Sequence, residues 1–356
     1  MLNRNSILIF FCLLAVTCSS PVWAQESKLL EVPIYIDNEP FITKYIMRDG
    51  HLLVPALFLK HTGVKMNWNE TYQSVVFTHK DIQFALPVGK DYLEDYGRAT
   101  GMWRRKSLST KTLEFNGETF VPLIDVVKKF GMDVVYDSKR EKTFIKTNIP
   151  PAPNPVSKGD ESKKQVALTF DDGPDEYYTA KILDILKQKN APATFFVMGK
   201  QIEQFPEMMK RIVKEGHGIA NHTYNHPALP TVMSETLVEE VRSTQKEMIR
   251  TVGRMPDLFR PPYGALTKSD RIVLSEMGLR TVMWSVDTID WSGQSAEEIL
   301  SIVRRDISPG GIILQHNFQS EARLLDGTVE ALPQIIDELR AQGYQFVTVQ
   351  TLLEHE

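Results

Sequence analysis

The chain has 356 residues, 42% hydrophobic and 24% charged, ordinary proportions for about two globular domains and unlike collagen, coiled coils or disordered chains. Its 41 Lys and Arg are interspersed with 45 Asp and Glu, so the basic excess of a nucleic-acid binder is absent.

Residues 1–24 read as a signal peptide. Arg4 supplies a positive start, and Ile7 to Val16 is an apolar run short for a membrane span. Val22-Trp23-Ala24 then ends in a cleavage-type pattern. An uncleaved anchor is the alternative, as is lipid attachment at Cys18, which Ala15-Val16-Thr17 fits poorly. Cleavage would remove Cys12 and Cys18, the only cysteines, leaving no disulfide and no Cys metal site. A secreted or wall-associated bacterial protein is expected, without a transmembrane segment in the mature chain.

Residues 25–148 hold an internal repeat. Leu53-Val54-Pro55-Ala56-Leu57-Phe58, reaching Gly63-Val64-Lys65-Met66-Asn67-Trp68, recurs as Phe120-Val121-Pro122-Leu123-Ile124, reaching Gly131-Met132-Asp133-Val134-Val135-Tyr136. Each copy predicts an extended entry, a short helix stopped by Gly, and a hairpin closing at 74–77 or 142–145. This makes a strand-rich α+β repeat domain. Residues 149–164 carry four prolines and then a charged run, predicting a stiff, solvated linker between independently folding halves.

Residues 165–356 alternate strand and helix. Strands are predicted at 166–170, 193–198, 218–221, 258–260, 280–286, 311–315 and 345–348. Helices are predicted at 179–189 and 201–215, with capping signatures at Thr267-x-x-Asp270 and Ser295-x-x-Glu298. About seven β/α units suit a small or incomplete (β/α) barrel. An open doubly wound sheet is the alternative, but no G-x-G-x-x-G follows the first strand.

Such barrels carry their chemistry at the C-terminal strand ends. There stand Asp171-Asp172-Gly173-Pro174, His222-Thr223-Tyr224-Asn225-His226, Arg260-Pro261-Pro262-Tyr263-Gly264, Asp287-Thr288-Ile289-Asp290-Trp291 and Gln315-His316. One helical turn would point His222 and His226 the same way, and two imidazoles with a carboxylate make a three-ligand catalytic metal site. Adjacent Asp171 and Asp172 can converge on a pocket while aiming at different targets; a helix-capping pair is the plainer reading. From spacing alone, His316 is open as a fourth ligand. His217 reads as structural, and His355 has no argued role.

Thr169-Phe170-Asp171-Asp172-Gly173-Pro174, His222-Thr223-x-x-His226, Arg260-Pro261-Pro262-Tyr263, Asp287-x-x-x-Trp291 and Leu314-x-His316 resemble the five motifs of NodB-type polysaccharide deacetylases, carbohydrate esterase family 4, in family order. The resemblance covers about residues 164–353. It implies that Asp172, His222 and His226 bind a divalent metal, zinc first, with Co²⁺ or Ni²⁺ as alternatives. It makes Asp171 the general base held by Arg260, and His316 the general acid oriented by Asp287, with no role for Asp290. The backbone N–H of Tyr263 helps bind the oxyanion; Trp291 and Leu314 line the acetyl pocket; Pro262 is a candidate for oxidation. The implied reaction is N-deacetylation of N-acetylglucosamine in a cell-wall polysaccharide, peptidoglycan first, by a monomer. Chitin oligomers, poly-N-acetylglucosamine and acetyl-xylan are alternative substrates. Asp172 argues against the muramic-acid branch, and a non-catalytic wall-binding protein would be expected to lack a ligand or the base.

The first half resembles the stalk domain named after the N-terminal domain of copper amine oxidases. Copper chemistry is not implied: the chain has no Asn-Tyr pair, and His51, His61 and His79 are scattered, as surface or turn residues would be.

Overall fold

The computed structural model describes residues 29–354. The leader, Cys12, Cys18 and His355 lie outside the described residues. Among those described, no helix is long and apolar enough to cross a membrane.

The repeat takes the expected form. His51–Pro55 leads into the 3₁₀ helix Ala56–Thr62, which Gly63 stops at φ 96°, and the hairpin Lys65–Asn69/Ser74–His79 follows. Glu118–Pro122 leads into the α-helix Leu123–Lys129 and the hairpin Asp133–Asp137/Lys142–Lys146. Besides the helix type, the copies differ in their sheets. Strands Ile82–Pro87, Tyr92–Gly97 and Met102–Ser107 extend the first hairpin into a five-stranded antiparallel meander. The remaining strands form a seven-stranded sheet. Val54, Leu59, Phe77, Phe84 and Val121 are buried in the shared core. His61 is half-buried against Phe41 and Phe58 instead of lying on open surface, and burial pushes its pKa down to about 4.

The second half is an incomplete (β/α) barrel, as the alternation predicts. Its parallel strands run in the order Arg280–Thr281, Leu258–Phe259, Gly218–Asn221, Thr194–Val197, Gln165–Asp171, Gly311–His316 and Val286–Asp287; Gln345–Phe346 also pairs with Gln165–Asp171. Strands covered on both faces are apolar without alternation, and Val166, Ala167, Leu168 and Phe170 are all buried. Two predicted elements are split. The helix over 201–215 becomes Gly199–Gln204 and Pro206–Lys214, because Pro206 cannot continue a helix and starts the next one. The strand over 280–286 breaks between Thr281 and Val286, where the Val282 and Met283 carbonyls turn to accept from the Arg260 guanidinium.

The segment expected to be a solvated linker is strapped down. Val156 bridges to Val282, Lys158 bridges to Gly311, and Arg271 donates to the Ala152 and Pro153 carbonyls. The two halves also share a buried seam. Lys60 Nζ lies 2.8 Å from Asp270 Oδ1, both side chains fully buried, and Met233 and Ile272 pack onto the N-terminal core. Gly63 sits in this seam: a Cβ there would come within 3.2 Å of Ile149 and Ile272. Gly63→Ala, which adds that clash to a left-handed φ, is expected to lower stability by at least about 1–2 kcal/mol, read as an earlier urea midpoint with an unchanged slope.

Candidate active site

Parallel pairing sets the frame. Gln165–Asp171 and Gly311–His316 run side by side with Asp171 opposite His316, so these two groups emerge together at the carboxyl ends of central strands. The buried Arg260 reaches across from the end of its own strand. Its Nη1 donates to Asp171 Oδ1 at 2.7 Å and to Thr169 Oγ1 at 2.8 Å; Nη2 donates to the Met283 carbonyl at 2.9 Å. The guanidinium also lies 3.9 Å from the Phe196 ring centroid. With its fork filled, Arg260 fixes one oxygen of Asp171 and leaves the other facing His222, 3.9 Å from its Nε2.

Asp172, His222 and His226 come together as predicted, though not through a helical turn. The segment after Asn221 is irregular, with Thr223 at φ 66° and His226 at φ 64°. Its shape is held from below. Glu240 accepts from the Tyr224 and Asn225 N–H groups, and Asn221 Oδ1 accepts from Thr223 N–H. His222 Nδ1 faces the Arg260 carbonyl at 2.8 Å; a carbonyl only accepts, so Nδ1 carries a proton and Nε2 is the ring nitrogen turned toward the site. Both histidine Nε2 atoms lie 3.3 Å from Asp172 Oδ1, which is buried and has no hydrogen-bond partner. Burial raises the Asp172 pKa, but His222, His316 and His226 outweigh it and hold the carboxyl at about 2. Burial, with His222 beside it, pushes His226 down toward the neutral form that ligates metals. A carboxylate oxygen without a hydrogen-bond partner between two imidazole Nε2 atoms fits a divalent cation, and this donor set suits an open three-ligand site.

His316 differs from the sequence expectation in its partner. Its Nδ1 pairs with Asp290 Oδ1 at 2.7 Å, and its backbone N–H donates to Asp290 Oδ2 at 2.9 Å. Thr328 Oγ1 donates to that second oxygen too. Asp287, expected to orient His316, instead accepts from the Ile289 N–H at 2.9 Å and lines the cleft. The reason is local. Ile289 adopts φ 56°, and this reversal turns Asp290 inward and buries it. Burial lowers the His316 pKa, but Asp290, then Asp172 and Asp171, overcome it and raise it to about 9.

These groups line one cleft of about 530 Å³, with Trp284, Trp291, Leu314 and Tyr263 around its walls. Leu314 is buried, whereas Trp291 and Tyr263 are exposed at the rim. The Tyr263 ring packs edge-on against His226 with centroids 4.6 Å apart. Asp172, Thr223, His226, Tyr263 and Ile289 all carry positive φ, and such strain gathers at functional sites. His217 is structural, as read: its Nδ1 accepts from the Ala193 N–H, and burial holds its pKa near 4.

The cleft chemistry agrees with the comparisons. Residues 158–282 match the polysaccharide deacetylase model, and residues 29–145 match the copper amine oxidase N-terminal domain. A peptidoglycan-N-acetylglucosamine deacetylase of Bacillus cereus is 43% identical over 196 residues, 55% of this chain and 70% of that protein. The chain belongs to the polysaccharide deacetylase family. A peptidoglycan-N-acetylmuramic acid deacetylase of Bacillus subtilis is 36% identical, over 55% of this deacetylase and 40% of that protein. A crystal structure of a peptidoglycan N-acetylglucosamine deacetylase with a bound N-oxidanyl-benzamide superposes with TM-score 0.55 at 42% identity, covering 56% of this chain and 93% of that one. A family pseudoenzyme from Bacillus anthracis superposes with TM-score 0.53 at 29% identity, covering 61% and 76%. The family match together with the peptidoglycan deacetylase relatives makes this protein a polysaccharide deacetylase, a hydrolase.

Four supporting residues escaped sequence reading. Asp290 was visible only as the second of two plausible acids. Glu240 lies on the helix Ser234–Val252, and nothing in its local sequence marks it as a buried support. Thr169 belongs to the first motif, but its sequence does not show that it accepts from Arg260. Asn317 follows His316 unremarked, yet its Oδ1 accepts from Gly173 N–H and its backbone N–H donates to the Asp171 carbonyl, tethering the double-Asp turn.

Proposed function

We propose that the protein removes N-acetyl groups from N-acetylglucosamine residues of peptidoglycan, releasing acetate, with zinc held by Asp172, His222 and His226. The observation that carries the reading is the convergence in one cleft of a base fixed by Arg260, a three-donor cluster and an imidazole acid paired with Asp290. Zinc, when bound there, supplies Lewis acidity and lowers the pKa of a coordinated water.

The chain's own groups do the rest. Asp171, anchored through Oδ1, uses its other oxygen to take the proton of the attacking water. His316 keeps Nδ1–H on Asp290, so its Nε2–H is the proton given to the departing nitrogen. The Tyr263 N–H is our candidate donor to the oxyanion. Leu314 forms the floor for the acetyl methyl, and Trp291 the exposed wall for the sugar. The proposed substrate lies outside the cell membrane, in keeping with the export leader read in residues 1–24.

The resemblance to the Bacillus subtilis muramic acid deacetylase makes N-acetylmuramic acid the second reading. Purified protein should release acetate from peptidoglycan, and mass spectrometry of the digested wall should place the loss on glucosamine. Loss on muramic acid would establish the second reading. Release from acetyl-xylan alone would refute both. Activity removed by a chelator should return best with Zn²⁺; better recovery with Co²⁺ or Ni²⁺ would reassign the metal.

A further inference from the structure

The Lys60 side chain crosses from the N-terminal domain into the barrel and is fully buried. An ammonium has three donors and no acceptor. Lys60 Nζ donates to the Leu229 and Val232 carbonyls, each at 2.7 Å, and pairs with the Asp270 carboxylate, whose Oδ1 lies 2.8 Å away. Leu229 and Val232 belong to the turn that follows His226. Asp270 belongs to the helix that follows Tyr263, where its Oδ2 accepts from Thr267 in a capping box. One cation therefore ties together the two segments that leave the active-site mouth from His226 and Tyr263.

A second connection runs beside it. The helix Ser234–Val252 has no side-chain cap of its own. Asn67 of the N-terminal domain supplies one, its Oδ1 accepting from Glu235 N–H at 2.9 Å, while Met66 N–H donates to Ser234 Oγ. This helix carries Glu240, whose carboxylate holds the Tyr224 and Asn225 amides between the two histidines.

We propose that the N-terminal domain holds the metal-site loop in its ligating shape, with Lys60 as the positioning residue and Asn67 as its support. The proposal rests on the reading of Asp172, His222 and His226 as metal ligands. Apolar side chains could join two domains as stably as a buried ion pair. An ammonium placed on two carbonyls of the His226 loop adds what they lack, a defined loop geometry.

The test uses the full-length protein and two readouts: zinc affinity by chelator competition, and the visible spectrum of the Co²⁺-substituted site. Folded Lys60→Met should bind zinc about 10–100-fold more weakly and show an altered cobalt spectrum. Lys65→Ala, which breaks the exposed pair with Glu276 at the same seam, should stay within about twofold of wild type. Wild-type affinity and spectrum in Lys60→Met would overturn the proposal. Should Lys60→Met fail to fold, Asn67→Ala carries the test: affinity weakened about threefold or more supports the coupling, consistent with the worth of a lost cap, and unchanged affinity overturns it. His226→Ala tests the ligand reading separately. Retained zinc there would overturn that reading and Lys60's role with it, whereas loss there beside wild-type binding in Lys60→Met overturns Lys60's role alone.

Discussion

Asp171→Asn is expected to lower kcat/KM by about 10²–10⁴-fold, the usual worth of a general base, with zinc still bound. The amide keeps the size of the carboxyl and a hydrogen bond from Arg260, but it cannot take the proton of water. Asp172→Asn should behave differently. The orphaned Oδ1 between His222 and His226 is the anionic donor of the cluster. Its loss should appear first as weakened metal binding, with activity partly restored by excess zinc. Metal analysis and single-turnover rates on both variants separate the roles. An empty Asp171→Asn beside a loaded Asp172→Asn would reverse them.

His316→Ala should lose about 10²–10⁴-fold on the amide and much less on an aryl acetate, because a phenolate leaves without help and an amine does not. Metal should remain bound; its loss, with equal damage to amide and ester, would make His316 a ligand. The pH profile supplies a second handle. The acid works only while protonated, so activity falls as pH rises through its pKa. Burial depresses that pKa, and Asp290, Asp172 and Asp171 raise it to about 9. A bound cation would neutralise the Asp172 contribution, so the alkaline limb of the loaded enzyme should fall below that value. In Asp290→Asn the largest raising contribution disappears while burial remains, and the limb should move to lower pH. Asp287→Asn should move it far less, since Asp287 lines the cleft without touching the imidazole. An equal shift in both variants would return His316's partnership to Asp287.

The parts legible in the sequence are those set by local chemistry. Thr267 and Ser295 both form the capping boxes their spacing predicts, and Gly218–Asn221 is a strand with the expected ends. Buried parallel strands announce themselves as apolar runs, and polar residues at their carboxyl ends mark the cleft. What escaped depends on single backbone torsions or on distant partners. Whether Asp287 or Asp290 meets His316 turns on the left-handed Ile289, a residue with no propensity for that conformation. The His222–His226 loop converges through Glu240, which lies 14 residues beyond His226 and resembles any exposed helix acid until the fold is known. The split at Phe205-Pro206 was readable, since proline there should have ended the first helix.

The buried ammonium of Lys60 also bears on the order in which the chain assembles. Lys60 lies far ahead of Asp270 in the sequence, so during synthesis the lysine is made before its counter-ion. Until then the lysine is a hydrated surface residue and costs nothing. Once the barrel forms, docking strips that water away and supplies two carbonyls and a carboxylate together. Undocking would return water to the ammonium and its partners but would also expose the apolar side chains packed around them, Met233 and Ile272 among these. Two domains joined this way should not melt one after the other. Calorimetry should record a single cooperative transition, with the catalytic mouth losing its shape only when the whole molecule does.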